Sequence, residues 1–445
     1  MPDKNDIIEL TINDLTVDGA GVGRFEGLAV FVPCALPGET VSAKIIKVTK
    51  SYAVGKLIEI LHQSQDRVEP FCGVFEACGG CTLQHLSYDK QLAFKARHIK
   101  ECFKRIGSIE IDLPEVMAAE NTRDYRNKAS FPVALVNGKT EAGFFAPHSH
   151  RLVACDCPIQ KQATNDAKNT VMKWANENNI QPYNEESHKG MLRHIVARQS
   201  SNGELMTGVV LRDWKSTEAL ADLLRPSAKS VSINKNEKKH NTILGNQSRI
   251  VLGDDYITEI YDGLKFRAGL TSFLQVNHEQ SEKLYRIALD YAKITKNDTV
   301  FDLFCGIGTI SLLAARHAKT VLGIEYVQEA VENAKDNAKL NSIDNAYFLA
   351  GDARQMIDEG IKQYGQPDIV ILDPPRKGCD SSLIEKISQV SPKCFVYVSC
   401  NPSTLARDAA IFVKQGYKVD RVKGVDMFPH TTHVECVIGM QRKST

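Results

Sequence analysis

Between residues 7 and 61 short β-branched runs alternate with glycine-rich turns. The runs cover residues 8–12, 29–32, 41–48 and 53–61, and the turns are Asp18-Gly19-Ala20-Gly21 and Leu36-Pro37-Gly38-Glu39. Strands this short, at this spacing, predict a small β-barrel over residues 1–62. The pattern then becomes helical from Tyr88 to Ile106, where Leu92, Phe94, Ile99 and Phe103 recur at helix spacing among Lys90, Lys95, Arg97, Lys100, Lys104 and Arg105. A strand is expected over 129–136, within an α/β unit running to about Lys265, and 227–247 reads as an exposed hairpin or loop. From Phe266 apolar runs alternate with amphipathic segments: strands are expected at 299–304, 320–324, 347–350, 368–372 and up to Ser399, with a helix over 310–316. Such alternation predicts a parallel doubly wound sheet. The chain is therefore expected to be α/β in three units: 1–62, a barrel; 63–265, a central α/β domain; and 266–445, a Rossmann-like domain.

Length and charge bound these expectations without deciding them. A chain of 445 residues exceeds one ordinary core. Lys plus Arg number 55 against 54 for Asp plus Glu, so any basic face must be local. The polar start Met1-Pro2-Asp3-Lys4 carries no apolar signal core, and no apolar run reaches membrane-spanning length. The expectation is a soluble cytoplasmic protein with no membrane partner and no obligate protein partner evident. In that compartment the 12 cysteines stay reduced, and clustered ones point to metal or catalysis.

Two cysteine features answer to that description. Cys72, Cys78 and Cys81 lie close together, the last two within Ala77-Cys78-Gly79-Gly80-Cys81, and Cys155 or Cys157 supplies a fourth thiol. Cys157 is preferred because it precedes a proline, as the closing cysteine of ferredoxin-type runs does. Four thiolates suit a 4Fe-4S cluster or a structural zinc, the cluster being the expectation. Separately, Cys400 ends an apolar run and is followed at once by Asn401-Pro402. At the carboxyl end of a strand in an open sheet, such a thiol faces a pocket, so Cys400 is the candidate nucleophile.

The adjoining strand ends build a ligand site. Cys305-Gly306-Ile307-Gly308-Thr309 is a tight turn opening a helix, Glu325 ends the second strand, and Asp352 follows the third. A carboxylate at the second strand end holds ribose hydroxyls in nucleoside-binding sheets. With Asp352 placed for an adenine amino group, S-adenosylmethionine fits better than NAD. Asp373-Pro374-Pro375-Arg376 stiffens the fourth loop, and Gln275 and Asn277 can bond donor or base, Asn277 also as a helix cap.

Gly21-Val22-Gly23-Arg24, Val30-Phe31-Val32-Pro33 and Leu36-Pro37-Gly38-Glu39 resemble the TRAM domain, an RNA-binding barrel. Residues 273–277, 302–308, 373–378, 399–408 and the tail 426–435 resemble the RNA (uracil-5-)methyltransferase family. That resemblance implies donor contacts at Gln275, Phe304, Thr309, Glu325, Asp352 and Asp373, and a catalytic pair Cys400 and Glu435. With the cysteine quartet it implies the iron-sulfur branch acting on 23S ribosomal RNA, transfer RNA being the alternative. The implied chemistry is methylation of carbon 5 of uridine by thiolate addition at carbon 6. The barrel, the basic helix and Arg123-Asp124-Tyr125-Arg126-Asn127-Lys128 are the expected RNA contacts, and the target base is expected to be flipped out. Arg407 and Asp408 are expected to order the nucleophile loop, and His430 and His433 to be orienting residues or relays. Cytosine-5 enzymes carry a Pro-Cys in the fourth loop, where this chain has Pro374-Pro375. A non-catalytic iron-sulfur RNA-binding module is the alternative of another class.

Overall fold

The computed structural model describes residues 2–214 and 218–443. Strands β1 (Ile7–Leu15), β2 (Gly21–Phe25), β3 (Leu28–Val32), β4 (Thr40–Val48) and β5 (Tyr52–His62) close a barrel in the order β1-β2-β3-β5-β4. Ile8, Leu10 and Ile12 alternate inward along β1, as a half-buried strand requires. The glycines read as part of a turn region extend into a strand of their own, β2. At Gly23 a Cβ would lie 2.6 Å from the Thr11 carbonyl oxygen, so only glycine lets this strand approach β1 so closely. Arg67 staples the barrel to the chain that follows, donating from Nη2 to Glu39 at 2.9 Å and to the Cys34 carbonyl at 2.6 Å.

Helix α1 (Tyr88–Cys102) runs into one π turn (Phe103–Gly107), and β6 (Val116–Met117) follows. The central sheet contains β7 (Lys128–Val136), β8 (Lys139–Phe145), β9 (Leu152–Ala154), β10 (Leu192–Gln199), β11 (Leu205–Leu211), β12 (Ser230–Lys235) and β13 (Gln247–Gly253). Its order is β13-β12-β11-β10-β7-β8-β9, and α2 (Gln162–Glu177) and α3 (Glu218–Leu224) pack on it. The span expected to contain an exposed hairpin or loop does so: β12, buried and paired on both edges, turns through a largely exposed segment into antiparallel β13. Val231 and Ile233 of β12 join the core.

The third sheet is fed by the hairpin β14 (Tyr256–Tyr261) and β15 (Leu264–Gly269) and by α4 (His278–Ala292). It contains β16 (Thr299–Leu303), β17 (Thr320–Glu325), β18 (Ala346–Ala350), β19 (Ile369–Leu372), β20 (Cys394–Ser399), β21 (Tyr417–Val425) and β22 (Glu435–Arg442). The order is β18-β17-β16-β19-β20-β22-β21-β6, parallel from β18 to β20, with β22 antiparallel between β20 and β21. Helices α5 (Thr309–Ala315), α6 (Gln328–Leu340), α7 (Ala353–Tyr364), α8 (Ser381–Val390) and α9 (Pro402–Lys414) alternate with these strands. The chain leaves β16 in both directions, to β17 and β19, which opens a crevice at their carboxyl ends.

Two sets of contacts cross the boundaries of the units expected from sequence. Ala96, Ile99, Cys102, Phe103 and Val116 share a core with Leu405 and Ala409 of α9, so α1 and β6 pack with the C-terminal sheet. The division at 265/266 runs through β15, whose Phe266 and Ala268 pack in the core with Leu284 and Ala288 of α4. The basic face of α1 is also largely neutralised. Lys90 pairs with Asp66, Arg97 with Asp14 and Arg105 with Glu101, while Lys95 is fully buried against Asp426. Among the described residues no helix is long and apolar enough to cross a membrane.

Candidate active site

A cleft of about 1130 Å³ opens at the carboxyl ends of β16, β17, β19 and β20. Its donor half begins at Phe304, whose φ of +69° places a non-glycine residue in the left-handed region as the chain leaves β16. Gly306 and Gly308 continue with positive φ into α5, and Thr309 lines the cleft at the first turn. Glu325 is oriented before any ligand arrives: Gly306 N–H donates to Oε2 at 3.1 Å and Val327 N–H to Oε1 at 2.9 Å. Asp352 caps α7, accepting from Arg354 N–H at 3.1 Å, and also lines the cleft. Behind the glycine turn, burial pushes the Asp302 carboxyl up to about 7, while Ser311 donates to it.

Gln275 enters the cleft from the segment before α4 and is buried there. Its backbone is clamped by Asn127, whose side chain donates to the Gln275 carbonyl at 3.2 Å and whose N–H donates to Val276 at 2.7 Å. Tyr125 likewise donates to the Pro429 carbonyl at 3.1 Å. In the motif expected to touch RNA, these two residues therefore face inward. Asn277 caps α4 by accepting from Gln280 N–H, as expected.

The other half of the cleft carries Asp373, Arg376, Cys400 and Glu435. Ser399 pairs with Cys436 in the antiparallel β20/β22 ladder. Cys400 follows Ser399 and Glu435 precedes Cys436, so both stand at the same end of this ladder. Burial, with Asp373 nearby, pushes the Glu435 carboxyl up to about 8, against the opposing pull of Arg376. Burial likewise pushes Asp373 up to about 7. The Cys400 thiol is raised by burial and by Glu435, while the Arg376 guanidinium lowers it by charge and hydrogen bonding. The arrangement offers a thiol and a carboxyl held neutral side by side, with one cation able to favour the charged form of either.

Helix α9 holds the Arg376 loop. Asn401 and Thr404 donate to the Arg376 carbonyl, and Arg407 donates to the carbonyls of Lys377 and Cys379. Buried Asp408 accepts from Tyr397 O–H at 2.7 Å and Cys379 N–H at 2.8 Å and pairs with Arg407. Arg407 and Asp408 thus hold the loop that carries Arg376. Gly378, at φ +74°, has Asp408 Oδ2 where a Cβ would come within 2.5 Å. His430 does not line the cleft: its ring packs edge-on to Phe71 and meets Gln91 at 3.3 Å. His433 stays outside the cleft lining as well, although Arg376 is near enough to lower it after burial has done so.

The cysteines of the central unit gather elsewhere. Cys72, Cys78, Cys81, Cys155 and Cys157 all line a second cavity of about 320 Å³, and Arg126 and Val276 line both this cavity and the cleft. Burial pushes the thiols of Cys81 and Cys155 up to about 12, each raised further by other cysteines of the group. Among the described residues no three of His, Cys, Asp or Glu converge on a point fit for a single metal ion. Cys157 is braced on both sides by Asn165, through its N–H and its carbonyl.

Comparison with known proteins places this geometry. The model of the tRNA (Uracil-5-)-methyltransferase family matches residues 87–443, and that of the TRAM domain matches residues 4–58. The chain belongs to the tRNA (uracil-5-)-methyltransferase family. This methyltransferase is 42% identical over 449 residues to an RNA methyltransferase of Halalkalibacterium halodurans, covering 99% of this chain and 98% of that one. It is 43% identical over 440 residues to one from Listeria innocua, covering 98% and 97%. Among solved structures it resembles the Pyrococcus abyssi tRNA (uracil-54, C5)-methyltransferase in complex with S-adenosyl-L-homocysteine. There the TM-score is 0.78 and the identity 28%, over 97% of this chain and 100% of that one. The methyltransferase thus joins an N-terminal TRAM barrel to a Rossmann-like sheet. By sequence Lys95 counts among the basic residues of a helix expected to contact RNA, whereas it is buried against Asp426.

Proposed function

We propose that this methyltransferase transfers a methyl group from S-adenosylmethionine to carbon 5 of a uridine in RNA. The observation that carries the reading is that Cys400 and Glu435 line one cleft, at the adjoining ends of the paired strands β20 and β22. Carbon 5 of uracil is a weak nucleophile until a thiolate adds to carbon 6, which makes carbon 5 enolate-like. Cys400 forms that bond, its charge favoured by Arg376. The bound donor supplies an electrophilic methyl group and leaves as the thioether. Glu435 then removes the proton from carbon 5, and the electron pair expels the Cys400 thiolate from carbon 6. Donor contacts are assigned to Gln275, Phe304, Thr309, Glu325, Asp352 and Asp373. A base stacked in a helix does not reach this cleft, so the uridine enters flipped out.

The units are read as a barrel (1–62) that grips flanking RNA, a central part (63–265) that bears the cysteines, and a catalytic part (266–445). Cys72, Cys78, Cys81 and Cys157 are assigned as ligands of a 4Fe-4S cluster that staples the 72–86 loop to the central sheet. With that assignment the protein is read as a member of the iron-sulfur branch. That branch favours 23S ribosomal RNA as substrate, and the family description and the archaeal neighbour favour transfer RNA. Incubation of anaerobically prepared protein with radiolabelled donor and each unmodified RNA, followed by nucleoside analysis, decides between them. 5-Methyluridine is expected with the native protein and none with Cys400→Ala. Label in any other nucleoside, or full activity in that variant, overturns the reading.

A further inference from the structure

The proposed base sits at the first residue of β22, and residues 426–434, which deliver it from β21, contain no strand or helix. An irregular segment at the edge of a catalytic cleft needs outside partners to hold one conformation. The side-chain anchors on Asp426, Phe428 and His430 include three residues of α1, a helix that contributes no residue to the cleft. Lys95 Nζ, fully buried, donates to Asp426 Oδ1 at 2.5 Å and to the Phe428 carbonyl at 3.1 Å. Tyr88 O–H donates to the other Asp426 oxygen at 2.8 Å. Gln91 accepts from His430 N–H at 2.9 Å through Oε1, and its Nε2 stands 3.3 Å from His430 Nδ1. His430 itself has φ +68°, a left-handed turn that a non-glycine residue keeps only under such restraint.

The loop of the cysteine cavity is built onto the same joint. The N–H groups of Thr82 and Leu83 both donate to the His430 carbonyl, at 3.0 and 2.9 Å. Gln91 Nε2 also donates to the Leu83 and Leu86 carbonyls, so one side chain bridges the cysteine loop and the base-bearing segment. Phe428, whose carbonyl Lys95 holds, lines the cleft beside Glu435. A buried cation and a buried amide on a helix outside the cleft are costly choices for packing alone. Both act on the 426–434 segment.

We propose that Lys95 and Gln91 are positioning residues for the base: they lock 426–434 so that Glu435 meets the carbon 5 proton, and their loss slows release of the product rather than attack by Cys400. The inference rests on the proposed roles of Cys400 and Glu435. Attack depends on β20 and the loop held by α9, neither of which touches Lys95 or Gln91 through the bonds above. Release depends on Glu435. A variant that misplaces only the base therefore accumulates the stage between the two, methylated uridine still bonded through carbon 6 to the Cys400 sulfur.

The test uses the full-length protein in four forms: Gln91→Leu, Lys95→Met, the neutral pair Lys95→Met with Asp426→Asn, and Glu435→Gln as the reference without a base. The neutral pair is included because Lys95→Met alone leaves Asp426 buried without its cation and can fail to fold. Each is incubated with donor and substrate RNA and run on a denaturing gel. Turnover and donor affinity are measured in parallel. Misplacement of a reacting group on the order of 1 Å costs about a hundredfold in rate. Expected for Gln91→Leu and the neutral pair is turnover lower by about ten- to a hundredfold. A donor-dependent covalent RNA–protein band accumulates as it does with Glu435→Gln, and donor affinity is unchanged. Unaltered turnover, or lost turnover without that band while Glu435→Gln shows it, overturns the positioning role alone. Absence of the band in Glu435→Gln overturns the assignment of the base and this inference with it.

Discussion

Replacing Arg376 by methionine isolates a cation that acts on both groups of the proposed catalytic pair. Its guanidinium lowers the Cys400 thiol and the Glu435 carboxyl, while burial and the neighbouring carboxylates raise them. A hydrogen bond to a charged group contributes about 1.5–3 kcal/mol. The Arg376 side chain is exposed, so solvent screening reduces this to about 1–2 kcal/mol. At 1.36 kcal/mol per unit, the thiol should rise by about one unit. Both groups must lose a proton to work, so activity is expected to increase with pH through the value of about 8 assigned to Glu435. In the variant the thiol's contribution to that limb moves about one unit higher, and below it kcat/KM falls about tenfold. The assay is methyl transfer as a function of pH, paired with the rate of Cys400 alkylation by iodoacetamide, which reads the thiolate directly. An unshifted alkylation profile would refute the argument, because it would show that Arg376 does not stabilise the thiolate.

Other expectations follow from the loops around that pair. Gly378→Ala drives a Cβ against Asp408 at a positive φ, so it should lower kcat more than it alters donor affinity, as judged by calorimetry and turnover together. Gln275→Leu removes a buried polar group from the donor side and should weaken S-adenosylmethionine binding about tenfold by titration calorimetry, with the unfolding midpoint little changed. Cys81→Ser should lower iron and sulfide content per chain together and shift the thermal midpoint down. Unchanged content would remove Cys81 from the ligand set.

Much of this site is legible in the chain because its parts sit where strand periodicity breaks. Cys400, Glu325 and Asp373 each end an apolar run, and an open sheet turns such ends toward a crevice. Glu435 is different. It begins its strand, and only the antiparallel insertion of β22 beside β20 brings it to the same rim, so its place follows from topology and was reached through resemblance. Lys95 is the instructive miss. Counted by charge it joined an exposed basic face, yet Gln91, Lys95, Ile99 and Cys102 recur at intervals of four, four and three and all are buried. A lysine on the buried stripe of a helix already signals an internal partner, and that signal was available before the structure. The partner, Asp426, lies too far along the chain for any local pattern to show. The β14–β15 hairpin escaped for a plainer reason: its two short strands close on each other and add no period to the alternation around them.

The insertion of β22 between β20 and β21 also bears on how the molecule comes to be active. Until that strand docks, β20 has one unpaired edge, a template open to any other extended chain. Cys400 meanwhile stands at a rim with no carboxylate across from it. On the proposed roles of Cys400 and Glu435, adding the eight residues of β22 to the ladder both covers that edge and completes the catalytic pair, so a chain in which β22 has not docked is expected to be aggregation-prone and inactive together.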